Sequence, residues 1–117
     1  MRDEKARILD MLEAIENIER YAGKGREAFE RDELIQTWIV HHLEIIGESA
    51  SRLGSQHRAG HPEVPWPQII AMRNLIVHEY FGIDLEEVWQ VVERDLPELK
   101  VRLTEICEEF RLRSKHD

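Results

Sequence analysis

Residues 73–80, Arg-Asn-Leu-Ile-Val-His-Glu-Tyr, crowd a permanent cation, an imidazole and a phenol into an otherwise apolar run. A guanidinium grips phosphate in a fork and keeps its charge. An imidazole gives and takes a proton near neutral pH. A phenol offers a hydroxyl that can bond, stack or be modified. Arg plus His, without a cluster of carboxylates, suits metal-free cleavage of RNA. The 2′-hydroxyl would attack its own phosphate, and His78 would take that proton or protonate the leaving oxygen. Arg73 would neutralise charge building on the phosphorane. Asn74 would hydrogen-bond and orient His78 or the phosphate. The products would be a 2′,3′-cyclic phosphate and a 5′-hydroxyl. The same side chains on a helix can also form a structural polar network, and Arg-x4-His recurs by chance, so spacing alone leaves both readings open.

A helix turns about 100° per residue. Arg73 and Tyr80, seven apart, share a face, whereas His78 would point roughly 140° away from Arg73. Either the helix unwinds near His78, which Gly82 favours, or two chains pair so that both motifs line one cleft. A lone straight helix cannot be the active unit.

Other candidates are weaker. His41, Glu44 and Glu48 fall at i, i+3, i+7 and could be read as metal ligands. A bundle di-metal site wants a second Glu-x-x-His element, which this chain lacks, so no metal and no cofactor is expected. Glu48, following Gly47, is read as a hydrogen-bond partner of Arg73, with a solvated charge as the alternative. His42 falls on a packing stripe. His57 and His61 lie in a loop where they touch RNA or nothing. Trp66 and Trp89 read as core rather than base-stacking platforms, and Cys107 and Met72 as packing residues.

The elements that must position these groups read as helices throughout, with no strand pattern. A first helix spans about Asp3 to Tyr21, with Ile8, Met11 or Leu12, Ile15 and Ile18 at helical spacing, and Gly23 and Gly25 end it. Phe29 precedes a second helix from about Asp32, a plausible N-cap, to Leu53, closed by Gly54. Its apolar stripe (Leu34, Ile35, Trp38, Ile39, His42, Leu43, Ile45, Ile46, Ser49, Ala50) is broad enough to pack on two sides, one of which could be a partner subunit. Gly47 and Ala50 are small enough for close approach of another helix. Residues 54–65 form a loop rich in Gly, Pro and His. A third helix starts near Trp66-Pro67, runs into the motif and stops at Gly82. Asp84, with Glu87 three residues on, opens a fourth helix in capping-box spacing. Pro97 kinks or restarts it, and it continues to about Arg111. The tail from about 112 to 117 frays. The fold expected is an all-α bundle of four to five helices.

The 117 residues suit one domain. At 42% hydrophobic and 34% charged, the composition is that of a soluble globular chain. One cysteine excludes an intrachain disulfide and fits a reducing compartment. No apolar run approaches the roughly 20 residues needed to span a bilayer, and the charged N-terminus lacks a signal-peptide core, so a cytoplasmic location is expected. The net charge of −8 argues against loose nucleic-acid binding. It is unevenly spread: from 51 to 82 three Arg (52, 58, 73) face two Glu (63, 79), leaving 13 cations and 22 anions elsewhere. An anionic ligand would be tolerated around the motif and hardly anywhere else, unless the thinning of acid is a chance fluctuation.

Arg73-x4-His78-x-Tyr80 resembles the signature of the HEPN superfamily, and within it the HepT-like (DUF86) group. The likeness extends over Ile-Ile-Gly-Glu-Ser at 45–49, Val-Pro-Trp-Pro-Gln-Ile-Ile at 64–70 and Met-Arg-Asn at 72–74. It continues in Tyr-Phe-Gly-Ile-Asp at 80–84, Val-Trp at 88–89 and Asp-Leu-Pro-Glu-Leu at 95–99. The resemblance implies a metal-independent ribonuclease toxin of a two-gene, type VII-like toxin–antitoxin system. It further implies a HEPN-type helical homodimer whose two motifs line a shared cleft, with RNA, tRNA among the candidates, as substrate. By position, Arg73 and His78 would be catalytic and Asn74 supporting. Tyr80 would accept AMP from ATP, transferred by an MntA-like minimal nucleotidyltransferase antitoxin. A nucleotide there would add negative charge and bulk beside Arg73 and repel an RNA phosphate. The competing expectation is a non-catalytic helical dimer that binds and regulates such a nucleotidyltransferase.

Overall fold

A computed structural model of the chain describes residues 3–73 and 84–116, with side chains through 113. Every regular element in these residues is helical, as expected. The frame is α1 (Glu4–Ala22), α3 (Glu33–Ser51) and α7 (Leu96–His116); α1 packs chiefly on α3 and also on α7. Shorter helices are α2 (Arg26–Arg31), α4 (Ser55–Ala59), α5 (Trp66–Ala71) and α6 (Leu85–Gln90).

The caps read at Asp32 and Asp84 are formed, and Asp3 caps α1 in the same way. The Asp3 carboxylate accepts from Ala6 N at 2.7 Å, Asp32 from Leu34 N at 2.9 Å and Asp84 from Glu87 N at 3.0 Å. Each satisfies a backbone donor that the first helical turn leaves without a partner. Ile8, Met11, Ile15 and Ile18 of α1 are fully buried, as are Ile39, Leu43 and Ile46 of α3 and Leu103 of α7.

Several expectations are corrected. Phe29 does not merely precede a helix. It lies inside α2 and is fully buried, its ring 5.3 Å from that of Trp89. Gln36 of α3 donates to the Phe29 carbonyl at 2.9 Å and the Glu30 carbonyl at 3.2 Å, closing the end of α2. Leu34 is 81% exposed and leaves the stripe, because it sits in the first turn of α3. Gly54 does not close α3, which ends at Ser51 with Arg52 as its cap. Gly54 instead starts α4, a helix inside the stretch read as loop. Within this chain α3 packs on α1 and α5.

Pro97 acts as expected but upstream of itself. Residues Val91–Asp95 form a π-helical turn that joins α6 to α7. Proline has no N–H to give the carbonyl four residues back, and its ring crowds that carbonyl. A π turn is one way a helix accommodates such a break. Trp89 Nε1 donates to Glu93 Oε2 at 2.7 Å across this turn. Downstream, α7 runs to His116.

Candidate functional site

α5 ends at Ala71, and Arg73 follows in a turn whose backbone N–H reaches the Ile70 carbonyl at 3.3 Å. Beside it Met72 is buried, which anchors the turn. The turn lies hard against α3 at Gly47. A Cβ at Gly47 would stand 2.7 Å from Arg73 N and 3.1 Å from both Arg73 Cβ and the Ile70 carbonyl oxygen. Glycine in a helix interior costs roughly 1 kcal/mol against alanine. Here that cost allows the α5 end to touch the α3 backbone, the close approach that the small residues of α3 suggested.

The next residue of α3 meets the Arg73 side chain. Glu48 Oε2 lies 3.6 Å from Arg73 Nη1, with the two side chains 45% and 42% exposed. Glu48 Oε1 accepts from Arg52 Nε at the shorter distance of 2.9 Å. One carboxylate is therefore shared between two guanidinium groups, and the trio carries one net positive charge. Exposed ion pairs contribute little to stability; the consequence of this one is where it holds the Arg73 fork. Arg52 was not among the residues singled out from the sequence. Its signal was the i, i+4 spacing from Glu48, the favourable acid-first order on a helix.

Asn74, His78 and Tyr80 lie outside the described residues. So do the unwinding expected near His78 and the stop at Gly82.

His57 and His61 are not idle loop residues. His57 sits in α4 with its side chain 12% exposed, its Nδ1 3.6 Å from Glu4 Oε2 and its ring stacked on Phe110. Burial lowers its pKa, with the carboxylate of Glu4 opposing and the charges of His61 and Arg113 assisting. The buried His61 approaches the His57 carbonyl through Nδ1 at 3.1 Å and Glu109 Oε2 through Nε2 at 2.9 Å. Both of those partners are acceptors, so both ring nitrogens must carry hydrogen for the two bonds to coexist. Burial pulls the His61 pKa down, but the bonds to Glu109 and the His57 carbonyl outweigh it and the pKa is raised. The pair ties α4 to α1 and α7.

His42 is buried as read, its Nδ1 2.7 Å from the Trp38 carbonyl. Trp66 is buried, donating to the carbonyls of Arg58 and His61, and Trp89 is buried against Phe29. Cys107 packs against the core, and burial raises its thiol pKa. Among the described residues no three His, Cys, Asp or Glu side chains come together as a metal site would require, His41, Glu44 and Glu48 included. A hollow of about 420 Å³ between α5 and the α6–α7 junction is lined by Ile69, Met72 and Leu99 and by four acids, Glu63, Glu87, Asp95 and Glu98, against one cation, Arg102. That acidic lining would repel a phosphate. The Arg52–Glu48–Arg73 trio, with its one net positive charge, is the less repulsive setting for an anion. Among the described residues no helix is long and apolar enough to cross a membrane.

Comparison with known proteins gives the same direction. The family described as Ribonuclease HepT-like matches residues 11–106. "Probable ribonuclease HepT" of Thermococcus cleftensis is 37% identical over 100 residues, 85% of this chain and 91% of its own. A "Putative RNase" of Caldanaerobacter subterraneus subsp. tengcongensis is 37% identical over 91 residues, 78% of this chain and 81% of its own. A "Gamma-glutamylcyclotransferase and putative RNase" of Methanocaldococcus jannaschii is 35% identical over 110 residues, 93% of this chain; the chain spans about half the length of that relative, 50%. No solved structure matches. The helical bundle, the Arg-x4-His-x-Tyr motif and a family match reaching from α1 to α7 together make this chain a member of the HepT-like family of HEPN ribonucleases.

Proposed function

We propose that this protein is a metal-independent endoribonuclease that acts as a homodimer, with the motifs of both subunits lining one cleft. Arg73 binds the scissile phosphate and stabilises the phosphorane. His78 moves the proton between the attacking 2′-hydroxyl and the leaving 5′-oxygen, and Asn74 orients the pair. The 2′-oxygen–phosphorus bond forms as the bond from phosphorus to the 5′-oxygen breaks, leaving a 2′,3′-cyclic phosphate and a 5′-hydroxyl. The observation that carries this reading is the setting of Arg73. Its backbone is pinned at Gly47, while its guanidinium is half-exposed beside a carboxylate already committed to Arg52. A cation held this way is pre-oriented yet still open to a phosphodiester.

The proposal extends to control. The chain is the cytoplasmic toxin of a two-gene, type VII-like toxin–antitoxin pair, and an MntA-like nucleotidyltransferase silences it. The Tyr80 oxygen attacks the α-phosphorus of ATP and releases pyrophosphate, which leaves an AMP group where an RNA phosphate would bind. The net charge of −8 favours a second reading, in which the dimer is a non-catalytic docking subunit and substrate of the same transferase.

Purified protein incubated with a broad RNA panel in EDTA separates the two. Cleavage that disappears in Arg73→Ala supports the nuclease. Wild type and Arg73→Ala behaving alike on every RNA would sink the nuclease.

A further inference from the structure

Glu48 is bound unequally by its two cationic neighbours. Arg52, one helical turn further along α3, holds Oε1 at 2.9 Å, whereas Arg73 approaches Oε2 only to 3.6 Å. The Arg52 backbone is itself fixed, because its N–H caps α3 on the carbonyls of Glu48 and Ser49. Ser51 Oγ also donates to the Glu48 carbonyl at 2.7 Å. The carboxylate therefore stands on a rigid helix end with one oxygen already taken. Without Arg52, both oxygens would be free to close on Arg73 in the two-pronged pairing that guanidinium and carboxylate prefer. A phosphate would then have to displace that carboxylate.

We infer that Arg52 is a positioning residue for Arg73: by engaging Glu48 it keeps the Arg73 fork oriented but uncommitted, available to an RNA phosphodiester. This rests on the reading of Arg73 as the phosphate-binding cation. Arg52 need not touch RNA, since its influence passes through Glu48. The side chains of Arg52 and Glu48 are about half-exposed, 57% and 45%, so substitutions there leave the fold intact.

The test is a double-mutant cycle on the full chain, read by RNA cleavage and by the NMR resonance of the Arg73 Nε–Hε group, assigned by its loss in Arg73→Lys. Arg52→Ala is expected to lower kcat/KM by about threefold or more, the scale of coupling between residues in contact. Arg52→Lys should recover part of that loss. In a Glu48→Gln background, adding Arg52→Ala should change cleavage by less than roughly twofold, the ordinary limit for independent sites. The Arg73 resonance should move on Arg52→Ala in the parent and stay in place in Glu48→Gln. A cleavage loss of equal size in both backgrounds would mean that Arg52 contacts RNA directly, and the inference is overturned. So is it if the Arg73 resonance ignores Arg52→Ala. Arg73→Ala cleaving as well as wild type would instead sink the nuclease reading, while the resonance would still report whether Arg52 governs Arg73.

Discussion

His61 on the loop after α4 and Glu109 on α7 are joined by a 2.9 Å hydrogen bond that requires a charged imidazole, because the other ring nitrogen already faces the His57 carbonyl. A histidine whose pKa rises on folding stabilises the native state fully below its unfolded pKa, about 6.5. That contribution is lost as the pH climbs through the raised folded value. Glu109→Gln should therefore destabilise the protein by about 1 kcal/mol at pH 5.5, and by much less at pH 8.5. Denaturant melts at the two pH values check this; an equal loss at both would refute the charged pair.

His57 has the opposite sign. Burial depresses its pKa, so its contribution is present above about pH 6.5 and is lost as the pH falls through the lower folded value. Replacing it by the uncharged, ring-shaped Phe in His57→Phe should flatten the acid limb of the stability curve, because no proton then has to be accommodated against Phe110. Thermal melts of parent and variant from pH 4 to 7 should converge at the alkaline end and separate at the acid end.

Gly47→Ala places a methyl group within 2.7 Å of backbone that cannot swing away. The turn carrying Arg73 must shift, and a displacement near 1 Å at a positioned group costs on the order of a hundredfold in rate. The expected result is a kcat for RNA lowered by at least tenfold, roughly, with the far-UV helix signal retained. Gly23→Ala is the matched control, since a Cβ there meets only an ordinary contact with the Glu19 carbonyl at 3.4 Å. Equal rates in the two variants would show that the approach at Gly47 does not govern Arg73.

Intact-mass measurement after incubation with ATP and the candidate transferase should show one AMP added per chain, and none in Tyr80→Phe. A gain that persists in Tyr80→Phe moves the acceptor elsewhere. His78→Ala should lower cleavage by about 10²- to 10⁴-fold, the usual worth of a positioned proton-transfer group.

What could be read in the sequence was local. Asp32 and Asp84 announce their helices because a short carboxylate just before an apolar periodic run has a nearby backbone donor to cap. The faces of α1 and α7 follow from spacing alone. Phe29 was misjudged because six residues between Gly25 and Asp32 carry too little periodicity to show a helix; the core contact with Trp89, sixty positions away in the chain, is what stabilises it. His57 and His61 looked like free loop side chains for the same reason: Glu4 and Glu109, which engage them, lie far off in sequence. Glu48 reads as a hydrogen-bond partner of Arg73 because it follows Gly47 on α3; the contact is instead an ion pair at 3.6 Å, and that distance and the competing hold of Arg52 belong to the packing of α5 on α3.

The π turn at Val91–Asp95 has a consequence for the whole C-terminal half. Val88, Val92 and Leu96 are buried at successive steps of four, whereas Leu96, Leu99, Leu103 and Ile106 alternate steps of three and four. In a regular α-helix each step of four overshoots by about 40°, so the first three would spiral off the core. The wider turn absorbs that overshoot and works as a phase corrector between two differently geared stretches. Deleting one residue from 91–95 would leave seven regular steps between Val88 and Leu96, about 700° or nearly two full turns, so the hydrogen-bond ladder would become regular while Leu103 kept its place in the core.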